Sequence, residues 1–68
     1  MKKYHSLLEK LPGEKWSIQF GAYVRADCVM ERDDMREAWN FVQGTKFKII
    51  TTDGMQASIN AAVEELNK

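Results

Sequence analysis

The feature that most constrains the fold is an unbroken alternation of apolar and polar side chains over residues 15–28. Every second residue is apolar from Trp16 to Cys28, and the residues between them are polar or glycine. A period of two is typical of a strand with one buried face. The run is longer than most strands. We therefore expect either one long strand bent at Gly21 or a hairpin that turns at Gly21-Ala22, and the hairpin is favoured because three strands make a better sheet than two.

The segments around this run predict three helices and one more strand. Residues 2–11 carry apolar side chains at the spacing i, i+3, i+4, i+7, which is typical of a helix that ends at Pro12-Gly13. Residues 33–43 predict a second helix, and residues 46–52 form a β-branched run that predicts a strand. Residues 54–67 predict the last helix. Their apolar stripes are Tyr4, Leu7, Leu8 and Leu11; Met35, Ala38, Trp39 and Val42; Met55, Ile59, Ala62, Val63 and Leu66.

Two details of these helices can be checked against a structure. Asp33 is the expected N-cap of the second helix, and Asp53 with Gln56 fits a capping box at the start of the third. In the strand, Phe47 and Ile49 are expected to point towards the core.

These elements predict an α+β fold in the order α-β-β-α-β-α, with a mainly antiparallel sheet and all helices on one of its faces. With 68 residues, the chain is expected to be one compact domain, 1–68. Cys28 is the only cysteine and His5 the only histidine, so neither a disulfide within the chain nor a structural zinc site is expected. A core this small needs either good packing or self-association, so a homodimer is one of the two routes that the sequence leaves open.

Acidic residues concentrate in one segment, although the 10 basic and 10 acidic side chains of the whole chain balance. Arg32 and Arg36 alternate with these acids, and Asp33 and Arg36 are spaced for an i, i+3 ion pair. This pattern predicts a solvated face suited to a charged protein partner rather than a metal site. The acidic residues are Asp27, Glu31, Asp33, Asp34 and Glu37.

A second candidate surface is the sheet face that the helices would leave open. It combines a tyrosine and an isoleucine with three cations, a mixture that fits a protein contact or single-stranded nucleic acid. The predicted residues are Gln19, Tyr23, Arg25, Lys46, Lys48 and Ile50.

No catalytic constellation is evident. Cys28 lies on an apolar face, and no sequence pattern places His5 beside it. The chain also contains no phosphate-binding loop and no long apolar segment. We therefore expect a protein without enzymatic activity, cofactor, metal or membrane contact. The unpaired cysteine and the absence of a signal peptide favour the cytoplasm.

Residues 16–23, Trp-Ser-Ile-Gln-Phe-Gly-Ala-Tyr, resemble the opening strand of sporulation-related repeat domains. That family consists of small α+β domains that bind the glycan strands of peptidoglycan. The resemblance implies a glycan site on the sheet face around Gln19 and Tyr23.

These observations together predict a small, non-enzymatic protein-binding module. Such a domain would dock on a partner protein and block or modulate it, as compact inhibitors and accessory proteins of phages and mobile elements do. The alternatives are a nucleic-acid-binding module that uses the basic sheet face and, as a minor one, the glycan-binding domain.

Overall fold

The computed structural model describes residues 3–68 and contains a three-stranded antiparallel sheet and two helices. The predicted α+β class is confirmed, but the element order is β-β-α-β-α. The elements are β1 (Tyr4–Lys10), β2 (Ser17–Ala22), α1 (Arg25–Glu37), β3 (Lys46–Thr52) and α2 (Gln56–Leu66).

Strand β1 lies in the centre of the sheet, and both of its faces are buried. It pairs antiparallel with β2 on one side and with β3 on the other. Leu7 and Leu8 are both fully buried, and Ser6 is almost so. Neighbouring side chains of a strand point to opposite faces. Each face of β1 is therefore covered by another part of the chain.

Helix α1 covers the face of the sheet to which Leu7 points. Phe47 of β3 lies on that face, because it stands opposite Glu9 in the register of β1 and β3. The guanidinium of Arg36 lies 5.5 Å from the centre of the Phe47 ring. The ring of Phe41, which follows α1, stacks on Phe47 at 6.2 Å. These contacts place α1 and the segment after it on one side of the sheet.

Helix α2 covers the opposite face, to which Tyr4 and Leu8 point. A Cβ placed on Gly54, just before α2, would stand 3.2 Å from the Cβ of Tyr4. At the other end of α2, the Asn67 side chain accepts from the backbone N–H of Trp16 at 2.7 Å and donates to its carbonyl at 3.2 Å. The helix therefore crosses the face from the Tyr4 end of the sheet to the Trp16 end.

The expectation that all helices lie on one face is wrong, and the width of the sheet explains why. Three strands about 4.8 Å apart span about 10 Å, which is the diameter of one helix. A second helix has no sheet to pack on beside the first, so it covers the other face. The open sheet face predicted from the sequence is therefore not present.

The predicted first helix is a strand. Lys2, the first residue of the predicted range, lies outside the described residues, and Tyr4–Lys10 forms β1. The helix-like spacing arises because a central strand with two covered faces carries adjacent apolar residues instead of alternating ones. The chain then turns at Pro12-Gly13, where the N–H of Glu14 donates to the carbonyl of Leu11 at 2.9 Å.

The alternating segment 15–28 forms neither a hairpin nor a long bent strand. Strand β2 ends at Ala22, and α1 begins at Arg25, so the second half of the alternation belongs to a helix. The register of β1 and β2 shifts at Gln19, where one extra residue bulges. Position 21 requires glycine because the Tyr4 side chain lies against its backbone, and not because the chain turns there. Any Cβ at this position would collide with the Tyr4 hydroxyl.

The second predicted helix is displaced towards the N-terminus. It ends at Glu37 instead of residue 43, so Asp33 lies inside α1 and is not its N-cap. The strand predicted over 46–52 is confirmed, and the last predicted helix is confirmed as α2 with slightly shorter bounds. Asp53 accepts from the N–H of Met55 at 2.9 Å. The N-cap of α2 is Met55, and Gln56 donates to Asn60, so the capping box predicted from Asp53 and Gln56 does not form.

The covering of both faces predicts that Leu7→Ala and Leu8→Ala each lower the free energy of unfolding by about 2–5 kcal/mol, because each leaves a cavity. Urea unfolding of the two variants measures this. Leu11→Ala is the matched control, since that side chain is partly exposed, and we expect it to cost much less. A normal stability for either β1 variant would mean that one face of β1 is open.

Candidate functional site

The five acidic residues predicted as a binding segment all lie on α1. Asp27, Asp34 and Glu37 are exposed, and they recur at a spacing that keeps them on one side of a helix. Met30 lies among them with 65% of its surface exposed. Cys28, on the inner side, is the buried residue of this helix. We call the exposed Asp27, Met30, Asp34 and Glu37 the acidic face.

Two of the five predicted acidic residues lie beside this face. Asp33 is exposed and pairs with its neighbour Arg32 at 3.3 Å, while Glu31 is partly buried. The expected Asp33–Arg36 pair is not the contact observed, because Arg36 lies over the Phe47 ring. The arginines thus lie on the flank of α1 towards the sheet, and the acidic face keeps its negative charge.

An exposed tryptophan lies directly after α1. Trp39 has 97% of its surface exposed, although the sequence pattern placed it on a buried helical stripe. Because α1 ends at Glu37, Trp39 belongs to the following turn, in which the N–H of Phe41 donates to the carbonyl of Ala38 at 3.0 Å. An indole that stays in water contributes none of the favourable free energy that burial of its apolar surface would give to folding.

Two more apolar side chains are exposed near Trp39. Val42 is 49% and Leu11 is 37% exposed, and both line a groove of about 320 Å³ together with Ala38 and Asn40, the chain neighbours of Trp39. Glu9 lies at the same groove. We call Trp39, Val42 and Leu11 the Trp39 surface. Ala38, which lines the groove, follows Glu37 directly, so the groove adjoins the end of α1 that carries Asp34 and Glu37.

The second predicted surface is dispersed. Gln19 lies on β2, whereas Lys46, Lys48 and Ile50 lie on β3, and β1 separates these two edge strands. Lys46 and Lys48 of β3 are exposed.

The other two residues of that predicted face lie beyond the strands. Tyr23 lies between β2 and α1, and Arg25 is the first residue of α1. The ring of Tyr23 meets the ring of Tyr4 edge to face, 5.0 Å between centres.

Cys28 and His5 come close but do not form a nucleophile pair. The Cys28 thiol lies 3.6 Å from the backbone carbonyl of His5, while the His5 ring bonds Thr51 Oγ1 at 2.9 Å. Burial, reinforced by the nearby charge of Asp27, raises the pKa of the Cys28 thiol. Cysteine catalysis needs a thiolate, and this environment favours the protonated thiol.

Within residues 3–68 no three histidine, cysteine or acidic side chains are grouped so that they could hold a metal ion. No helix in that part of the chain is long and apolar enough to span a membrane.

Comparison with known proteins gives no relative: no family model, curated protein or solved structure matches this chain. The resemblance of residues 16–23 to sporulation-related repeats stays a prediction from that one segment. Tyr23, one of the two residues implied to bind glycan, lies outside the strand.

The environment of Cys28 predicts a slow reaction with thiol reagents in the native protein and a fast one after denaturation. It also predicts a pH effect, because the thiol pKa is raised above its unfolded value of about 8.5. The resulting stabilisation is complete below that value and is lost as the pH rises through the folded pKa.

Unfolding measured between about pH 7 and pH 10 tests this, with Cys28→Ala as the comparison. Wild-type stability should fall more than that of the variant over this range. Rapid labelling of the native protein, or equal pH dependence of the two proteins, would contradict the assignment.

Proposed function

We propose that this chain is a non-enzymatic protein-binding module that docks through the Trp39 surface and the adjoining acidic face. The observation that carries the proposal is the 97% exposure of Trp39. Tryptophan is among the residues that contribute most to binding at protein interfaces. Burial of the indole against a partner would account for the position of Trp39 outside the core.

The charges beside Trp39 define the chemistry of that partner. Asp34 and Glu37 lie in the last turn of α1, and Glu9 lines the groove that Ala38 and Asn40, the chain neighbours of Trp39, also line. A partner should therefore present an apolar pocket for the indole, bordered by lysine or arginine side chains. The pocket would bury the indole, and the charges would guide the approach and fix the orientation.

Such a domain acts by covering part of the surface of its partner protein. With about 800 Å² covered on each partner, a standard interface involves some 20–30 residues a side, a large share of a chain this small. A bound module of this kind would cover a functional site of its partner and thereby block or modulate it. This is the inhibitor or accessory role, of the type found in phages and mobile elements, that the sequence predicts.

The first test is affinity capture from a cell lysate with three forms of the protein. We expect a partner that is retained by the wild type and by Met55→Ala but lost with Trp39→Ala. Met55 is a matched control because it is 65% exposed and lies before α2, away from Trp39. Partners that bind all three forms equally would contradict docking through Trp39.

With the partner in hand, binding kinetics separate the two parts of the surface. Trp39→Ala should weaken binding by about 30-fold or more, mainly through faster dissociation, as expected for a hot-spot residue. The pair Asp34→Lys and Glu37→Lys should mainly slow association and reverse its salt dependence.

The matched control for the charge change is Glu64→Lys with Glu65→Lys, which alters the same charge on the exposed side of α2. We expect association with this variant to stay near the wild-type rate. Equal effects of the two charge reversals would indicate that only the net charge matters, and would remove the acidic face from the binding surface.

A further inference from the structure

The two edges of the sheet differ in regularity. Strand β2 carries the bulge at Gln19, which interrupts the ladder and makes it a poor template for another strand. Strand β3 pairs with β1 over all seven residues without any shift. Within residues 3–68 no strand pairs with its outer edge. A straight, unpaired edge exposes a row of backbone donors and acceptors to a further strand.

We propose that β3 pairs antiparallel with β3 of a second copy of this chain, about a two-fold axis at Ile49. The two sheets would then form one continuous six-stranded sheet, with β2 at each outer edge. The pairing is isologous, since each copy uses the same strand and the same register.

The side chains of β3 select this register. Centred on Ile49, it pairs all seven residues, with Lys46 opposite Thr52, Phe47 opposite Thr51 and Lys48 opposite Ile50 of the second copy. No two lysines stand opposite each other. A register centred on Lys48 would bring two ammonium groups face to face, which is unfavourable.

Opposite charges at the two ends of the paired strands support a second copy of this chain as the partner of β3. Lys46 stands opposite Thr52 of the second copy, and Asp53 follows Thr52 directly. Hydrogen bonds from the Met55 N–H and the Ser58 hydroxyl lower the pKa of Asp53, so its carboxylate is charged. The two-fold axis places each Lys46 one residue along the chain from the position opposite Asp53 of the other copy, twice in each dimer.

The size of the core gives a reason for pairing. Among residues 3–68 the buried apolar side chains are Leu7, Leu8, Cys28 and Ile59. A domain of this length buries a small share of its surface, and oligomerisation is a common way to add stability.

Sedimentation equilibrium of the full chain tests the association. We expect the apparent mass to rise with concentration towards twice the 7.9 kDa of one chain. Lys46→Glu should raise the dimer dissociation constant about tenfold, whereas Lys15→Glu, the same change on an exposed loop lysine, should leave it unchanged. A chain that stays monomeric at millimolar concentration, or equal effects of the two variants, would overturn the proposal.

Spin labelling tests which edge is used. In the proposed register the Cα atoms of the two Lys48 residues are diagonal neighbours, about 7–8 Å apart. A nitroxide on Lys48→Cys should therefore give a strongly broadened spectrum in the dimer, while one on Ala61→Cys, exposed on α2, should not. Buried Cys28 should stay unlabelled. A dimer without broadening at residue 48, or with equal broadening at residue 61, would overturn the β3 pairing.

Discussion

The burial of β1 on both faces is the constraint on which the rest of the structure depends. Leu7 and Leu8 point in opposite directions and are both inaccessible to solvent, so the chain needs cover on two sides. Its two helices supply that cover, one on each face. A sheet of three strands is no wider than a helix, so neither helix needs a neighbour on its own face. Residues 3–68 thus form a narrow molecule in which β2 and β3 are the two edges of the sheet.

The packing of one helix on each sheet face determines which surfaces remain available for binding. Because α1 and α2 cover the two sheet faces, little apolar surface remains for the segment 38–45 to pack on. The observed contact of this kind is the stacking of Phe41 on Phe47. Trp39 therefore faces solvent beside the acidic side of α1. The proposed docking surface follows α1 in the chain, and the proposed dimer edge is the outer edge of β3.

The sequence patterns succeeded where one face of an element is buried. Strand β3 and helix α2 follow simple periodicities, and both were predictable. The patterns failed for β1, because a doubly covered strand has no alternation, and adjacent leucines also fit a helix. They failed again at Ala22, where the alternation continues by coincidence into the first turns of α1. The concentration of acidic residues was evident from the sequence, but the shared helix face of Asp27, Asp34 and Glu37 and the exposure of Trp39 were not, since both depend on α1 running from Arg25 to Glu37.

The exposure of Trp39 is the central claim, and fluorescence of a single-tryptophan variant tests it most directly. Trp16→Phe leaves Trp39 as the only tryptophan, which can be excited apart from the two tyrosines. The account predicts emission at the long wavelength of an indole in water and quenching by acrylamide as efficient as for the unfolded chain. Emission shifted to shorter wavelength, with protection from acrylamide in the isolated protein, would show that Trp39 is packed and would contradict the account.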